Sequence, residues 1–317
     1  MHIVLAEPLG IRQELLEQYA QEVEALGHRF TWYPDRPGGA GDLLHRVEGA
    51  DAVIVANYPF PGEVVRGAEN LRYIDVAFTG VDHVDIGACK ERGISVSNAS
   101  GYSDVAVAEL AFGLMLGLSR RLLPCDGATR SQGTKDGLVG TELFQKVLGV
   151  VGAGKIGTAV VRIALAFGMR VLVYNRSVKP QLEAMGATFV TLEELMAQSD
   201  IVTLHIPNTP QTQGLISREM LALMKPTAML INTARGPIVD NGALAEALCQ
   251  GRIAAAGIDV FEMEPPIPAD HPLVGAPHTL LTPHVAFATE EALERRAAIV
   301  FDNLKAWLSG TVQNQVC

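Results

Sequence analysis

Three stretches of the chain end in side chains that together could polarise and protonate a carbonyl group. Residues 228–232 run into Thr233-Ala234-Arg235-Gly236-Pro237, residues 255–259 into Phe261-Glu262-Met263-Glu264-Pro265-Pro266, and residues 279–282 into Pro283-His284. A ketone that gains a hydride also needs a proton on its oxygen, and histidine is the side chain whose unperturbed pKa suits that transfer near neutral pH. His284 is the candidate proton donor. A carboxylate within hydrogen-bond reach would fix the imidazole tautomer and favour its charged form, the role expected of Glu264. Arg235 offers a planar guanidinium fork that grips a carboxylate and polarises the adjacent carbonyl, which lysine would not reproduce. The plainer readings are an ion-pair role for Arg235 and a solvated acid at Glu262, which competes with Glu264 for the imidazole.

A second pattern concerns nucleotide phosphates. The apolar run 147–151 leads into Gly152-Ala153-Gly154-Lys155-Ile156-Gly157, and a helical pattern over 155–167 follows at once. Gly152 permits a tight turn, Gly154 lets backbone amides approach a pyrophosphate, and Gly157 lets the helix lie close to the strand. The strand, glycine loop, helix and following strand at 170–174 form the setting this dinucleotide fingerprint requires. Where an acid commonly holds the ribose hydroxyls of NAD, this chain has Asn175-Arg176-Ser177. No carboxylate there repels a 2′-phosphate; Arg176 can pair with it or stack on adenine, and Ser177 can hydrogen-bond it. The segment leans towards NADP over NAD. The plainer alternative keeps Asn175 on a ribose hydroxyl and leaves Arg176 a solvated charge.

These residues need strands to deliver them. Short apolar runs at 2–5, 52–55, 73–76 and 95–97 alternate with helical or polar stretches, and a second series runs through 147–151, 170–174, 201–205, 228–232, 255–259 and 279–282. Such alternation predicts parallel sheets covered by helices on both faces. Arg235, Glu264 and His284 then issue from the carboxyl edge of one sheet, where open α/β sheets bind ligands. Between the series, residues 104–120 form an apolar helical pattern with small residues suited to close packing, and 126–142, with its glycines, reads as an extended surface connection. The last helical pattern, 290–308, finds a partner if it returns to the first sheet. At 317 residues the chain exceeds one usual core, so two domains sharing a cleft are expected.

Composition excludes several classes. The balance of 25 basic against 35 acidic residues, without a basic cluster, argues against a nucleic-acid partner. Four scattered cysteines suit neither a zinc site nor a disulfide framework, so no metal and a cytoplasmic location are expected. No apolar run approaches the roughly 20 residues of a membrane span, and the amino terminus reads as a strand and not as a signal. No nucleophile elbow of the hydrolase kind occurs.

At the motifs just quoted, with Leu230-Ile231-Asn232-Thr233-Ala234-Arg235-Gly236, Asp259-Val260-Phe261 with Glu264-Pro265, and Thr282-Pro283-His284, the sequence resembles the D-isomer-specific 2-hydroxyacid dehydrogenase family over nearly its whole length. The resemblance implies a flavodoxin-like substrate domain from residues 1–98 and 287–317, a Rossmann-like dinucleotide domain over 99–286 inserted between them, and a homodimer formed through the inserted domain. It prefers Glu264 over Glu262. It places the substrate carboxylate on the loop containing Thr79, Gly80 and Val81, with Asn57 and Tyr58 on the pocket's other wall, although an ordinary strand-end turn explains Asn57 and Tyr58 equally well. It sets Lys155, Ile156, His205, Pro207, Thr212, Thr233, Ala234, Asp259 and Ala286 along the cofactor. The implied activity is hydride transfer between NAD(P)H and a small 2-oxo acid, of the glyoxylate or hydroxypyruvate reductase type. Alternatives on the same fold are oxidation of phosphite, formate or phosphoglycerate, and a non-catalytic NAD(H)-sensing scaffold of corepressor type.

Overall fold

The computed structural model describes residues 1–317, which divide into two compact units: residues 1–103 with 288–317, and residues 104–287. In the first unit, β1 (His2–Leu5), α1 (Gln13–Ala25), β2 (Arg29–Trp32), α2 (Ala40–Val47), β3 (Ala52–Val55), α3 (Gly62–Gly67), β4 (Tyr73–Val76), α4 (Ile86–Arg92) and β5 (Ser95–Asn98) build a five-stranded sheet in the order β2-β1-β3-β4-β5. Every pairing is parallel, and the order is the flavodoxin-like one. β3 and β4 are buried along their whole length; β3 accordingly reads as an unbroken apolar run, and β4 does so but for the buried Asp75.

The last helix of the chain, Glu290–Leu308, belongs to this first unit. Thr289 caps it by accepting from the Ala292 N–H. Phe301 stacks on Tyr19 at 4.2 Å, and Asn303 donates to Asp75 Oδ1 at 3.2 Å and to the Asn98 carbonyl at 3.1 Å. Beyond the helix, Gln315 bridges Ser97 antiparallel, so the tail covers the exposed edge of β5. Residues 99–103 stay with this unit because the Ala99 N–H donates to the Val76 and Phe78 carbonyls and the Tyr102 carbonyl accepts from Arg295.

The second unit begins with α5 (Asp104–Ser119) and α6 (Leu122–Arg130). There follow β6 (Val147–Val151), α7 (Lys155–Ala166), β7 (Arg170–Tyr174), α8 (Pro180–Glu183), β8 (Thr188–Phe189), α9 (Leu192–Gln198) and β9 (Ile201–Leu204). The chain continues through α10 (Arg218–Ala222), β10 (Met229–Asn232), a 3-10 turn over Gly236–Ile238, α11 (Asn241–Cys249), β11 (Ala255–Ile258), α12 (Pro272–Gly275) and β12 (Thr279–Leu281); the helix described above is α13. The seven strands lie in the order β12-β11-β10-β9-β6-β7-β8, all parallel. This is the doubly wound arrangement, and its direction reverses between β6 and β9.

Three features depart from the sequence reading. β2 and β8 were not expected: both lie at sheet edges, β2 has mostly polar or exposed positions and β8 is only two residues long, so neither leaves an apolar run. Residues 126–130 are helical where an extended connection was expected. That end of α6 buries no side chain and is held locally, by Arg130 on Asp126 at 2.7 Å and by the Thr129 hydroxyl on the Cys125 carbonyl at 3.0 Å. A helix without an apolar face leaves no periodicity to read. Residues 131–146 are irregular and largely exposed.

Candidate active site

The glycine loop shows what each glycine is for. Gly152 adopts a φ of 99°, and a Cβ there would lie 2.5 Å from the His205 carbonyl oxygen; at Gly157 a Cβ would lie 2.0 Å from the Gly152 carbonyl oxygen. Both positions must be glycine for the chain to pack. Gly154 differs: nothing stands within 4 Å of the place its Cβ would take. It opens the N-terminus of α7, whose first turn contains Lys155 and Ile156 and presents amides that no carbonyl of the helix can satisfy.

Three buried polar atoms on neighbouring strand ends also lack a partner: His205 Nδ1, Asn208 Oδ1 and Thr233 Oγ1. Burial pushes the His205 imidazole down to about 3, so the ring is neutral, with Nε2 on the Thr203 hydroxyl at 2.9 Å. Pro207 and Thr212 lie in the same turn, where the Thr212 hydroxyl donates to the Pro207 carbonyl at 2.6 Å. Open space beside the amides, with orphaned polar atoms along the same sheet edge, fits a bound dinucleotide. Asn175 Oδ1 accepts from the Ala153 N–H at 3.2 Å and its amide donates to the Ser177 carbonyl at 2.8 Å. The asparagine thus braces the glycine loop, and Arg176 and Ser177 are exposed beside it.

β10, β11 and β12 are neighbours, and their carboxyl ends carry the three residues expected to do chemistry. Asn232, the last residue of β10, donates to the Arg235 carbonyl at 3.0 Å and accepts from the Ala234 N–H at 3.0 Å. Arg235 leaves this braced turn half-buried, one Nη1 contact running to the Ala234 carbonyl at 2.7 Å. After β11, the buried Asp259 carboxylate accepts from the Thr282 hydroxyl at 2.5 Å and from the Val285 and Ala286 N–H groups, each at 2.9 Å. Burial pushes this carboxyl up, against the pull of those donors. His284 lies in the turn so held, and its Nδ1 is 2.8 and 3.0 Å from the two oxygens of Glu264. Glu262 is not simply solvated: it turns away to His271, 2.9 Å from Nε2.

In the first unit, Asn57-Tyr58 follows β3 and Thr79-Gly80-Val81 follows β4, at the same edge of adjacent strands. The buried Glu7 carboxylate accepts from the Ala56 and Tyr58 N–H groups, each at 2.8 Å, and Arg36 holds the Asn57 side chain. Asn98 donates to the Thr79 carbonyl at 2.7 Å, while no main-chain carbonyl takes up the N–H groups of Thr79, Gly80 or Val81.

Sequence reasoning missed Glu7, Asn208, Asn232 and His271. Asn232, ending an apolar strand just before Arg235, was the one with a visible signal, as a turn-former at a strand end. Glu7 acts on residues about 50 positions further along the chain, and Asn208 and His271 lie in irregular segments that leave no periodic signal.

The family description "D-isomer specific 2-hydroxyacid dehydrogenase, NAD binding domain" matches residues 112–286. The chain belongs to this family. Over 309 residues the dehydrogenase is 36% identical to a glyoxylate reductase of Korarchaeum cryptofilum, covering 95% of this chain and 93% of that protein. A D-3-phosphoglycerate dehydrogenase of Methanocaldococcus jannaschii is 40% identical over 279 residues, 87% of this chain but 53% of that protein, so the chain spans about half its length. A solved acyclic imino acid reductase in complex with NADPH and D-Arg has a TM-score of 0.89 at 31% identity, with all of both chains covered. The dehydrogenase is therefore an oxidoreductase with an NAD(P)-binding Rossmann-type unit, which sets aside the scaffold reading. None of its helices is long and apolar enough to cross a membrane.

Proposed function

We propose that the dehydrogenase reduces a small 2-oxo acid, of glyoxylate or hydroxypyruvate size, to the D-2-hydroxy acid, with Arg235, Glu264 and His284 carrying the chemistry. The observation that bears most weight is the pairing of His284 Nδ1 with both Glu264 oxygens, at 2.8 and 3.0 Å. A carboxylate acceptor keeps the proton on Nδ1, which leaves Nε2 to carry a second proton and deliver it to the substrate carbonyl oxygen. Arg235 holds the substrate carboxylate and draws charge from the carbonyl. When bound, the reduced nicotinamide supplies the hydride.

In the same reading, Thr79, Gly80 and Val81 offer to the substrate carboxylate the N–H groups that no main-chain carbonyl takes up, with Asn57 and Tyr58 as further substrate contacts. Residues 1–103 with 288–317 then serve as the substrate unit. Gly152, Gly154, Lys155, Ile156 and Gly157 hold the pyrophosphate; His205, Pro207, Thr212, Thr233, Ala234, Asp259 and Ala286 line the rest of the dinucleotide; and Asn175, Arg176 and Ser177 favour NADPH. The supporting feature is the engaged Asn175, which leaves Arg176 and Ser177 as the exposed groups for a 2′-phosphate.

The proposed assembly is a homodimer through the second unit. There Leu123 and Val139 are 64% and 87% exposed beside a 460 Å³ groove that also includes Leu118 and Leu280, a concentration of apolar surface that a second copy would cover. Sedimentation as a stable monomer at micromolar concentration would contradict it. Four free cysteines suit the reducing cytoplasm proposed as its location.

Oxidation of NADPH and NADH, followed by absorbance against glyoxylate, hydroxypyruvate, pyruvate, phenylpyruvate and branched 2-oxo acids, tests the function. Turnover of a small 2-oxo acid, lost by about 10²- to 10⁴-fold in H284A, is expected. Silence across the panel, or a loss of tenfold or less in H284A, would overturn the substrate class or the proton-donor role respectively.

A further inference from the structure

The segment between β11 and α12 has to bring Glu264 to His284, yet it has little to hold it in place. From Glu262 to Asp270 most side chains are exposed, Glu264 itself by 64%. A carboxylate on so open a stretch must give up rotamer freedom to stay on one imidazole, so the placement of its backbone matters.

An anchor lies two residues before Glu264. His271 is only 5% exposed, and its ring meets Phe261 edge-on at 5.4 Å. Its Nδ1 accepts from the Leu273 N–H at 3.3 Å, which caps α12, so the ring proton sits on Nε2 and is donated to Glu262 at 2.9 Å. One neutral ring thus joins a helix end to the loop. Burial pushes the Glu262 carboxyl up, but the hydrogen bonds it accepts, that from His271 the largest among them, together outweigh burial and hold the group below its usual value. On the other side, a Cβ at Gly236 would fall 1.9 Å from the Phe261 carbonyl carbon, so the same loop rests directly on the residue that follows Arg235.

We propose that Glu262 and His271 are positioning residues for catalysis: their hydrogen bond clamps the loop between Gly236 and α12, so that Glu264 meets His284 in one orientation. The inference rests on the reading of His284 as proton donor. Neither residue touches the reacting atoms; both act through Glu264.

The test compares kcat, KM and Tm in E262A, E262Q and H271N. Asparagine at 271 keeps a cap for α12 but cannot reach Glu262, and glutamine at 262 keeps an acceptor for His271. The carboxylates facing His284 are Glu264 and, more distantly, Asp259. E262A and H271N should lower kcat by about ten- to hundredfold, with cofactor KM within about twofold, because a misplaced catalytic group slows chemistry more than binding. E262Q should recover most of the rate. In an E264A background, E262A should add almost nothing, the signature of a residue acting through another.

An unchanged rate in H271N, an E262Q as slow as E262A, or additive losses with E264A would each overturn the clamp. H284A measured alongside separates the two ideas. If it stays active, the proton-donor reading falls and takes this inference with it; if H284A is inactive while H271N matches the parent, the clamp alone falls.

Discussion

Asp259 and His284 are joined through both main chain and carboxylate. The His284 N–H donates to the Asp259 carbonyl at 2.8 Å, while the Asp259 carboxylate collects the Thr282 hydroxyl and the N–H groups of Val285 and Ala286 around it. The network surrounds a histidine with a φ of 56°, a left-handed conformation that a residue with a Cβ keeps only when its surroundings over-determine it. A general acid must be held still, and the hydrogen bonds around this turn do that.

Removing that carboxylate should therefore cost both stability and rate. D259A leaves the Val285 and Ala286 N–H groups without an acceptor, and a fall in unfolding free energy of about 1–3 kcal/mol is expected for unsatisfied buried donors. Denaturant melts and kcat measured on the same preparation should fall together; a loss of rate without loss of stability would show that the turn holds itself.

E264Q separates charge from shape. Glutamine can still accept from His284 Nδ1 but brings no negative charge to the site, so kcat should fall by about tenfold with KM for the dinucleotide unchanged. A rate equal to that of the parent would mean that Glu264 only orients the ring.

Two glycines three residues apart in the same loop should fail differently. G157A drives a methyl against the Gly152 carbonyl and should destabilise the fold by about 1–3 kcal/mol. G154A meets open space in the chain itself, so Tm should hold while KM for the dinucleotide rises at least about tenfold, because the methyl takes room that the pyrophosphate needs. Thermal melts with and without cofactor distinguish the two outcomes.

R176A tests the dinucleotide preference. If Arg176 pairs with a 2′-phosphate, KM for NADPH should rise by about tenfold with that for NADH unchanged, since a charge-assisted hydrogen bond of this kind contributes about 1.5–3 kcal/mol. Equal changes for both cofactors would assign Arg176 to adenine stacking or to solvent.

Burial raises the Asp75 carboxyl to about 8, well above its unfolded value. The folded chain therefore binds this proton more tightly than the unfolded chain, so the contribution to stability is complete below the unfolded pKa of about 4 and is lost as pH rises towards 8. Melting temperature should fall over that window, and D75N, which keeps an acceptor for Asn303, should flatten the fall. A parent protein whose Tm is level across the window would show that Asp75 is charged when folded.

The parallel architecture was legible because buried strands such as β3, β6 and β9 are apolar on both faces, and because Gly152, Gly154 and Gly157 stand between a strand and a helix. Arg235, Glu264 and His284 were visible for a similar reason: each follows the end of a strand, and parallel strands in one sheet deliver their carboxyl ends to one edge. β2, β8 and α6 were not visible, since an edge strand and an exposed helix leave no apolar pattern.

Local order in the chain thus determined the fold class, the dinucleotide loop and the identity of the residues proposed for catalysis. The family resemblance already preferred Glu264 as the partner of His284, but only the tertiary structure decided that Glu262 goes to His271. Glu262 and Glu264 are two residues apart and chemically alike, yet one reaches His271 and the other His284, because those choices depend on where α12 and the turn after β12 pack. The same holds for Asp259, whose partners lie 23 to 27 residues further on: hydrogen bonds across such separations are set by the folded backbone and leave no periodic trace in the sequence.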